Sequence, residues 1–221
     1  MLEHLWFPHD ISTFGPNIDL IFLVIFWLTA ITWAAVTVAM VVFLFKYRHR
    51  PGRKASYIEG NSRLEVVWTT VTAVIMVALA LASRSTWADI KEHGPPGDVF
   101  YRVTAKQFNW EITYPGPDGK LGTPDDVTVE NDFHVPVNKV VRIDLNSKDV
   151  IHSFFVPNMR LKQDAVPGRT IKVWFQATEI GTYEIPCAEL CGFGHSGMKG
   201  TLYVQSEQDY EKWLKDTYSN K

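Results

Sequence analysis

Between Ile18 and Phe45 the only charged side chain is Asp19, at the edge of a run that reads Leu20-Ile-Phe-Leu-Val-Ile-Phe-Trp-Leu28. Such a stretch exceeds the ~20 apolar residues that an α-helix needs to cross the hydrocarbon core of a bilayer. In that medium no water bonds the backbone, so a helix or a closed barrel is the only spanning fold. Val66 to Ala82 is a second run without charge, and ~17 residues suffice for a short span. A cleaved signal sequence competes with the first run. Its apolar part is too long for one, and Lys46-Tyr-Arg-His-Arg50 follows where a small-residue cleavage site would stand. Both runs are therefore read as retained transmembrane helices, at about 18–45 and 65–83, joined by a loop over 46–64.

The basic residues orient this hairpin. The loop carries Lys46, Arg48, Arg50, Arg53, Lys54 and Arg63, whereas Met1 to Asn17 holds no Lys or Arg. Positive charge retained on the inner side puts the loop in the cytoplasm and both termini outside. Residues after about Arg84 then lie outside a bacterial-type cytoplasmic membrane, on the periplasmic side. The net charge of −2 and the lack of a basic patch give no sign of nucleic-acid binding.

Glu92-His-Gly-Pro-Pro-Gly-Asp98 breaks the chain and divides it into a hairpin domain, 1–91, and an external domain, 92–221. The external part reads as β-structure. Candidate strands cover 100–106, 108–114, 139–146, 151–156, 170–176, 182–185 and 200–205. Val141-Arg-Ile-Asp-Leu-Asn146 alternates with the period of a half-buried strand. Short strands divided by Gly and Pro turns predict a small sandwich or barrel. Ser206 caps a short final helix, with Asp209 at its third position. Between the strands, Pro115-Gly-Pro-Asp-Gly-Lys-Leu-Gly-Thr-Pro-Asp-Asp126 forms a long acidic loop. Its Asp118, Asp125 and Asp126 are oxygen donors of the kind calcium takes. A solvated turn whose Asp, Gly and Pro residues meet local backbone geometry accounts for it equally well.

Both cysteines of the chain fall within Cys187-Ala-Glu-Leu-Cys191-Gly-Phe-Gly-His195-Ser-Gly-Met198. Thiolate, imidazole and a weak thioether together suit copper. A single copper of the blue type uses one Cys, two His and a Met, so the second thiolate asks for a second metal ion. Two thiolates that each bridge two coppers form a compact Cu2S2 unit. Each copper then needs one His and one weak ligand. His195, Met198 and the Glu189 carbonyl are local, and His152 of Asp149-Val-Ile-His-Ser-Phe-Phe-Val156 is the candidate for the missing imidazole. A disulfide between Cys187 and Cys191 is the plain competitor outside a membrane. Structural zinc is another, although zinc has no use for Met198. His152 alone reads as a histidine buried in an apolar strand.

Two N-terminal apolar helices, a β-rich external domain and the series His152…Cys187-x3-Cys191-x3-His195-x2-Met198 together resemble subunit II of the haem–copper cytochrome c oxidases. Asp164-Ala-Val-Pro-Gly-Arg169 and Gly181-Thr-Tyr-Glu-Ile-Pro-Cys187 add to the likeness, which runs from the first helix to Trp213. The resemblance implies two transmembrane α-helices followed by an all-β, cupredoxin-like sandwich with a short C-terminal helix. It implies a binuclear CuA centre in which Cys187 and Cys191 bridge the coppers and His152 and His195 ligate one each. Met198 and the Glu189 carbonyl are then the weak ligands, and the Glu189 side chain reaches a magnesium ion at the boundary with subunit I.

The implied activity is to take electrons from a separate cytochrome c and pass them to haem in subunit I. Oxygen is reduced there, protons are pumped, and subunit III accompanies the complex. Glu65 resembles the glutamate at the entrance of the K proton pathway. Phe108 stands where the family typically has an exposed tryptophan that receives electrons. Phe108 departs from that pattern, and Trp110 close by is a second aromatic of the receiving region or a core residue of its strand. No Cys-x-x-Cys-His haem attachment site is present. Two other functions compete: a copper subunit of a nitric oxide reductase, with the same ligands, and a membrane-tethered copper metallochaperone. The chaperone pattern places its His after the cysteines on an α/β fold, whereas here His152 precedes them.

Overall fold

A computed structural model describes residues 7–219. They divide into two units: residues 17–88, and residues 7–16 together with the chain from Asp89 onward. The first unit holds all but the outer ends of α1 (Gly15–Lys46) and α2 (Ser62–Lys91), each long and apolar enough to cross a membrane. Asn61 caps α2, its side-chain oxygen accepting from the backbone N–H of Arg63 at 3.1 Å and Leu64 at 3.2 Å. The helix runs eight residues past the end predicted for it at 83. Charge at Arg84, Asp89 and Lys91 ends the apolar span but not the helix, because no breaker intervenes before Gly94-Pro95-Pro96.

The second unit is a β-sandwich. One sheet holds β3 (Val127–Glu130), β2 (Asn109–Tyr114), β1 (Val99–Lys106), β5 (Val140–Ser147) and β8 (Ile171–Gln176), in that spatial order. A second holds β4 (Asp132–Pro136), β10 (Lys199–Gln205) and β9 (Gly181–Pro186), and a ribbon pairs β6 (His152–Val156) with β7 (Leu161–Ala165). β1 pairs with β5, and β4 with β10, in parallel; the other ladders are antiparallel.

Strict alternation explains the core. Trp110, Ile112 and Tyr114 of β2 point inward, as do Val141, Ile143 and Leu145 of β5. Aromatic rings join the layers edge to face: Tyr101 to Phe133 at 5.3 Å, Phe133 to Phe175 at 6.2 Å and Trp110 to Phe154 at 5.5 Å. The last helix, α3 (Glu207–Ser219), starts with the predicted cap: the Asp209 N–H donates to Ser206 Oγ at 3.2 Å. It lays Trp213 on His134 with ring centroids 3.9 Å apart.

The sequence boundary at 91 left the first residues with the hairpin. Described residues 7–16 instead belong to the sandwich unit. Ile11 is fully buried, its N–H donates to the Asn158 carbonyl at 2.9 Å, and its carbonyl accepts from Thr178 at 2.8 Å. Phe14 meets the Trp174 ring edge-on at 5.3 Å. Two buried apolar side chains and a short backbone ladder strap this segment to the sandwich. Strands β3, β4 and β7 are not among the candidate strands that the sequence predicts.

Candidate metal centre

The ligand-type residues hang from strand ends at one edge of the sandwich. His152 opens β6, and Cys187 follows directly on β9. The two strands are stitched where they carry these residues: Phe154 bridges Cys187, and the Ala188 N–H donates to the Ser153 carbonyl at 3.0 Å. The chain then turns back on itself. The Cys187 N–H donates to the Met198 carbonyl at 3.0 Å, and the Met198 N–H to the His195 carbonyl at 3.1 Å. Gly192 sits at φ +134°, a conformation that a side chain would strain.

These turns bring the soft donors together. The Cys187 and Cys191 sulfurs are 3.8 Å apart, and both thiols are free and buried. The donor atoms of His152, Cys187 and Cys191 all lie within 4.8 Å of one another. His152 Nδ1 is 3.9 Å from Cys187 Sγ, and the Glu189 carbonyl is 3.3 Å from the same sulfur. At the other end, His195 Nδ1 is 3.6 Å and Met198 Sδ 3.7 Å from Cys191 Sγ. Each sulfur thus has one imidazole and one weak donor beside it. No disulfide takes the cysteines.

Asp149, three residues before His152, is the partner of that imidazole. Its Oδ1 lies 2.8 Å from His152 Nε2. A carboxylate only accepts, so Nε2 is the donor, and Nδ1 is the ring nitrogen that faces the sulfurs. Partial burial of Asp149 works against ionisation. Hydrogen bonds from His152 and from the N–H groups of Gln107 and Val150 outweigh it and hold the carboxyl below its ordinary range. Burial, with Cys187 alongside, pushes the Cys191 thiol up to about 11. It therefore keeps its proton at neutral pH until a cation displaces it.

The donor set fits copper. Two metal–thiolate bonds of about 2.3 Å, the length known for zinc, span up to roughly 4.6 Å between sulfurs, and 3.8 Å falls inside that reach. Imidazole, thiolate and thioether in one buried cluster are soft ligands of the copper type.

The other predicted residues lie in varied places. Phe108 is 37% exposed at the rim, against the loop that carries Gly192 and Gly194. Trp110 is buried behind it, its ring 6.2 Å from that of His152. The Glu189 side chain is exposed. Glu65 belongs to the helical unit, in the first turn of α2, with an exposed side chain. In the loop over 115–126, carboxylates accept from the loop's own groups: Asp118 from Lys120 N–H at 2.8 Å, Asp126 from Gly122 N–H at 2.7 Å and Asp125 from Thr123 Oγ1 at 2.6 Å.

Comparison with known proteins identifies the family. The model of the cytochrome c oxidase subunit II transmembrane domain matches residues 9–85, and that of the subunit II periplasmic domain matches residues 105–205. The chain belongs to the cytochrome c oxidase subunit II family. It is 33% identical to the alternative cytochrome c oxidase subunit 2 of Bradyrhizobium diazoefficiens, over 97% of this chain and 86% of that protein. It is 32% identical to cytochrome c oxidase subunit 2 of Cereibacter sphaeroides, over 81% of this chain and 69% of the relative. The sandwich is similar to the crystal structure of the periplasmic domain of cytochrome oxidase subunit II from Bradyrhizobium japonicum. That match has a TM-score of 0.51 and 32% identity, and covers 57% of this chain and 97% of the other. As a subunit II, the chain is part of a cytochrome c oxidase, and membership implies a copper centre and association with subunit I.

Proposed function

We propose that this chain is the electron-receiving subunit of a proton-pumping terminal oxidase. Its copper ligands are His152, Cys187, Cys191, His195, Met198 and the Glu189 carbonyl. A binuclear copper centre held by these residues would supply one-electron chemistry between cytochrome c and haem in subunit I, where oxygen is reduced. The observation that carries the reading is the pair of free, buried thiols 3.8 Å apart, each flanked by one imidazole nitrogen and one weak donor.

The protein's own part is to hold that donor set still. Ligands mounted on strand ends and tied by backbone hydrogen bonds move little when charge changes, which lowers the cost of each transfer. Asp149 fixes the His152 tautomer, as partners of metal-bound histidines do. Burial of the cysteines and Met198 keeps water from the sulfurs. Phe108, partly exposed at the rim, stands two residues before the buried Trp110, and the two mark the receiving side.

The apolar helices of residues 17–88 anchor the chain, with the basic loop of 46–64 in the cytoplasm and the sandwich unit on the periplasmic side. The segment 7–16 is seated on that domain. Glu65 is assigned to the mouth of a proton pathway, and the exposed Glu189 carboxylate to magnesium at the subunit I boundary. Subunit III completes the assembly.

Copper titration of the purified full-length chain in detergent, followed by mixing with reduced cytochrome c, tests the reading. Two coppers per chain and rapid reduction are expected, with both lost in Cys191→Ser. One copper per chain, or a copper band that cytochrome c leaves oxidised, sinks it.

A further inference from the structure

Gln107 and Phe108 form the turn between β1 and β2, and neither carries a ligand atom. Yet Gln107 touches both ligand-bearing segments. Its backbone N–H donates to Asp149 Oδ2 at 2.7 Å, while the other oxygen of that carboxylate holds His152 at 2.8 Å. Its side-chain amide donates to the Cys191 carbonyl at 2.6 Å. The adjoining Phe108 ring closes over the same loop: a Cβ placed on Gly194 would stand 2.5 Å from Phe108 Cδ2, and one on Gly192 would stand 2.6 Å from Gln107 Nε2.

The two cysteines are held differently. Cys187 is fastened to β6 by its bridge with Phe154 and by the bond from Ala188 to Ser153. Cys191 stands four residues on, in a glycine-rich turn beyond the strand, and its carbonyl is held by the Gln107 amide. We infer that Gln107 is a positioning residue, a clasp that sets Cys191 against the His152–Asp149 pair and so fixes the spacing of the two sulfurs. The inference rests on the copper reading for its purpose, but the clasp itself is visible without metal.

Gln107→Met keeps the volume and removes the donor, since a thioether donates no hydrogen bond. Gln107→Ala removes both. In the metal-free full-length chain, alkylation by a maleimide followed by peptide mass analysis reads each cysteine separately. Cys191 is expected to react about two- to tenfold faster in both variants, the range that a single hydrogen bond spans, with Cys187 unchanged. In the copper-loaded chain, transfer of copper to a chelator is expected to favour the chelator by about tenfold, as for other residues that orient metal ligands, with a shifted visible spectrum. Parent rates at both cysteines in both variants would overturn the clasp. Equal acceleration of Cys187 and Cys191 would overturn it too, by marking Gln107 as a general fold residue. Failure of the parent chain to take up two coppers would instead strike the copper reading, leaving the alkylation result to judge the clasp.

Discussion

Replacing Asp149 with Asn keeps the shape of the side chain and removes its charge. In the structure that carboxylate accepts from His152 Nε2 at 2.8 Å, from Gln107 N–H at 2.7 Å and from Val150 N–H at 2.7 Å. A hydrogen bond to a charged group contributes about 1.5–3 kcal/mol and a neutral one about 0.5–1.5. Neutralising Asp149 therefore costs the His152 contact roughly 1–1.5 kcal/mol. At tenfold per 1.4 kcal/mol, copper retention should weaken about five- to twelvefold. The midpoint potential should move as well. An anion beside the site favours the oxidised, more positive form, so its removal raises the potential, by at most on the order of 60 mV for one electron. Both quantities are measurable on the copper-loaded full-length chain, by chelator competition and by potentiometric titration of the visible band. An Asp149→Asn chain that matches the parent in both would refute the orienting role of Asp149.

Three other outcomes are expected. Ile11→Ala should remove about 2–5 kcal/mol from the sandwich, the usual cost of truncating a buried Ile. Denaturant unfolding followed by tryptophan fluorescence reads this, and an unchanged midpoint would mean that the strap over 7–16 contributes nothing. The sandwich should weaken in alkali. Burial pushes Tyr210 up to about 12, against the bond from Tyr101, and burial raises Tyr101 in the same direction. The unfolded chain then loses its tyrosine protons from about pH 10 while the folded chain keeps them, so stability is full below about pH 10 and declines toward about pH 12. Tyr210 alone accounts for roughly 2–3 kcal/mol of that loss, and Tyr210→Phe should flatten the decline. Glu65→Gln should slow oxygen turnover of the assembled oxidase while leaving copper reduction by cytochrome c intact; unchanged oxygen consumption would remove Glu65 from the proton route.

What the sequence disclosed follows from how each feature works. The helices were plain because a bilayer forbids charge, and absence of charge is visible in one dimension. Strands β1, β2, β5 and β10 alternate in hydropathy and were found. In β7 the inward positions are Leu161, Gln163 and Ala165, so a polar residue occupies the centre of the inner face and hides the period. β3 has four residues beside the acidic loop, and β4 starts with Asp132, ends with Pro136 and carries His134. None of the three reads as a strand without its partner.

Five of the six proposed copper ligands stand out in the sequence because scarce residue types crowd into 187–198; His152 stands apart in its own strand. Asp149 was legible only as a neighbour of His152, three residues away, and its direction came from the fold. Gln107 was not legible. Glutamine in a hairpin turn carries no signal, and its contacts lie 42 and 84 residues away. The strap over 7–16 left only Ile11 and Phe14 as signs, too few for a periodic pattern.

Electron paramagnetic resonance of the full-length chain, purified in detergent and loaded with copper, tests the central claim most directly. One electron shared by two equivalent copper nuclei, held between Cys187 and Cys191, should give hyperfine structure from both nuclei. Hyperfine structure from a single copper nucleus would contradict a binuclear centre and with it the electron-receiving role assigned to these residues.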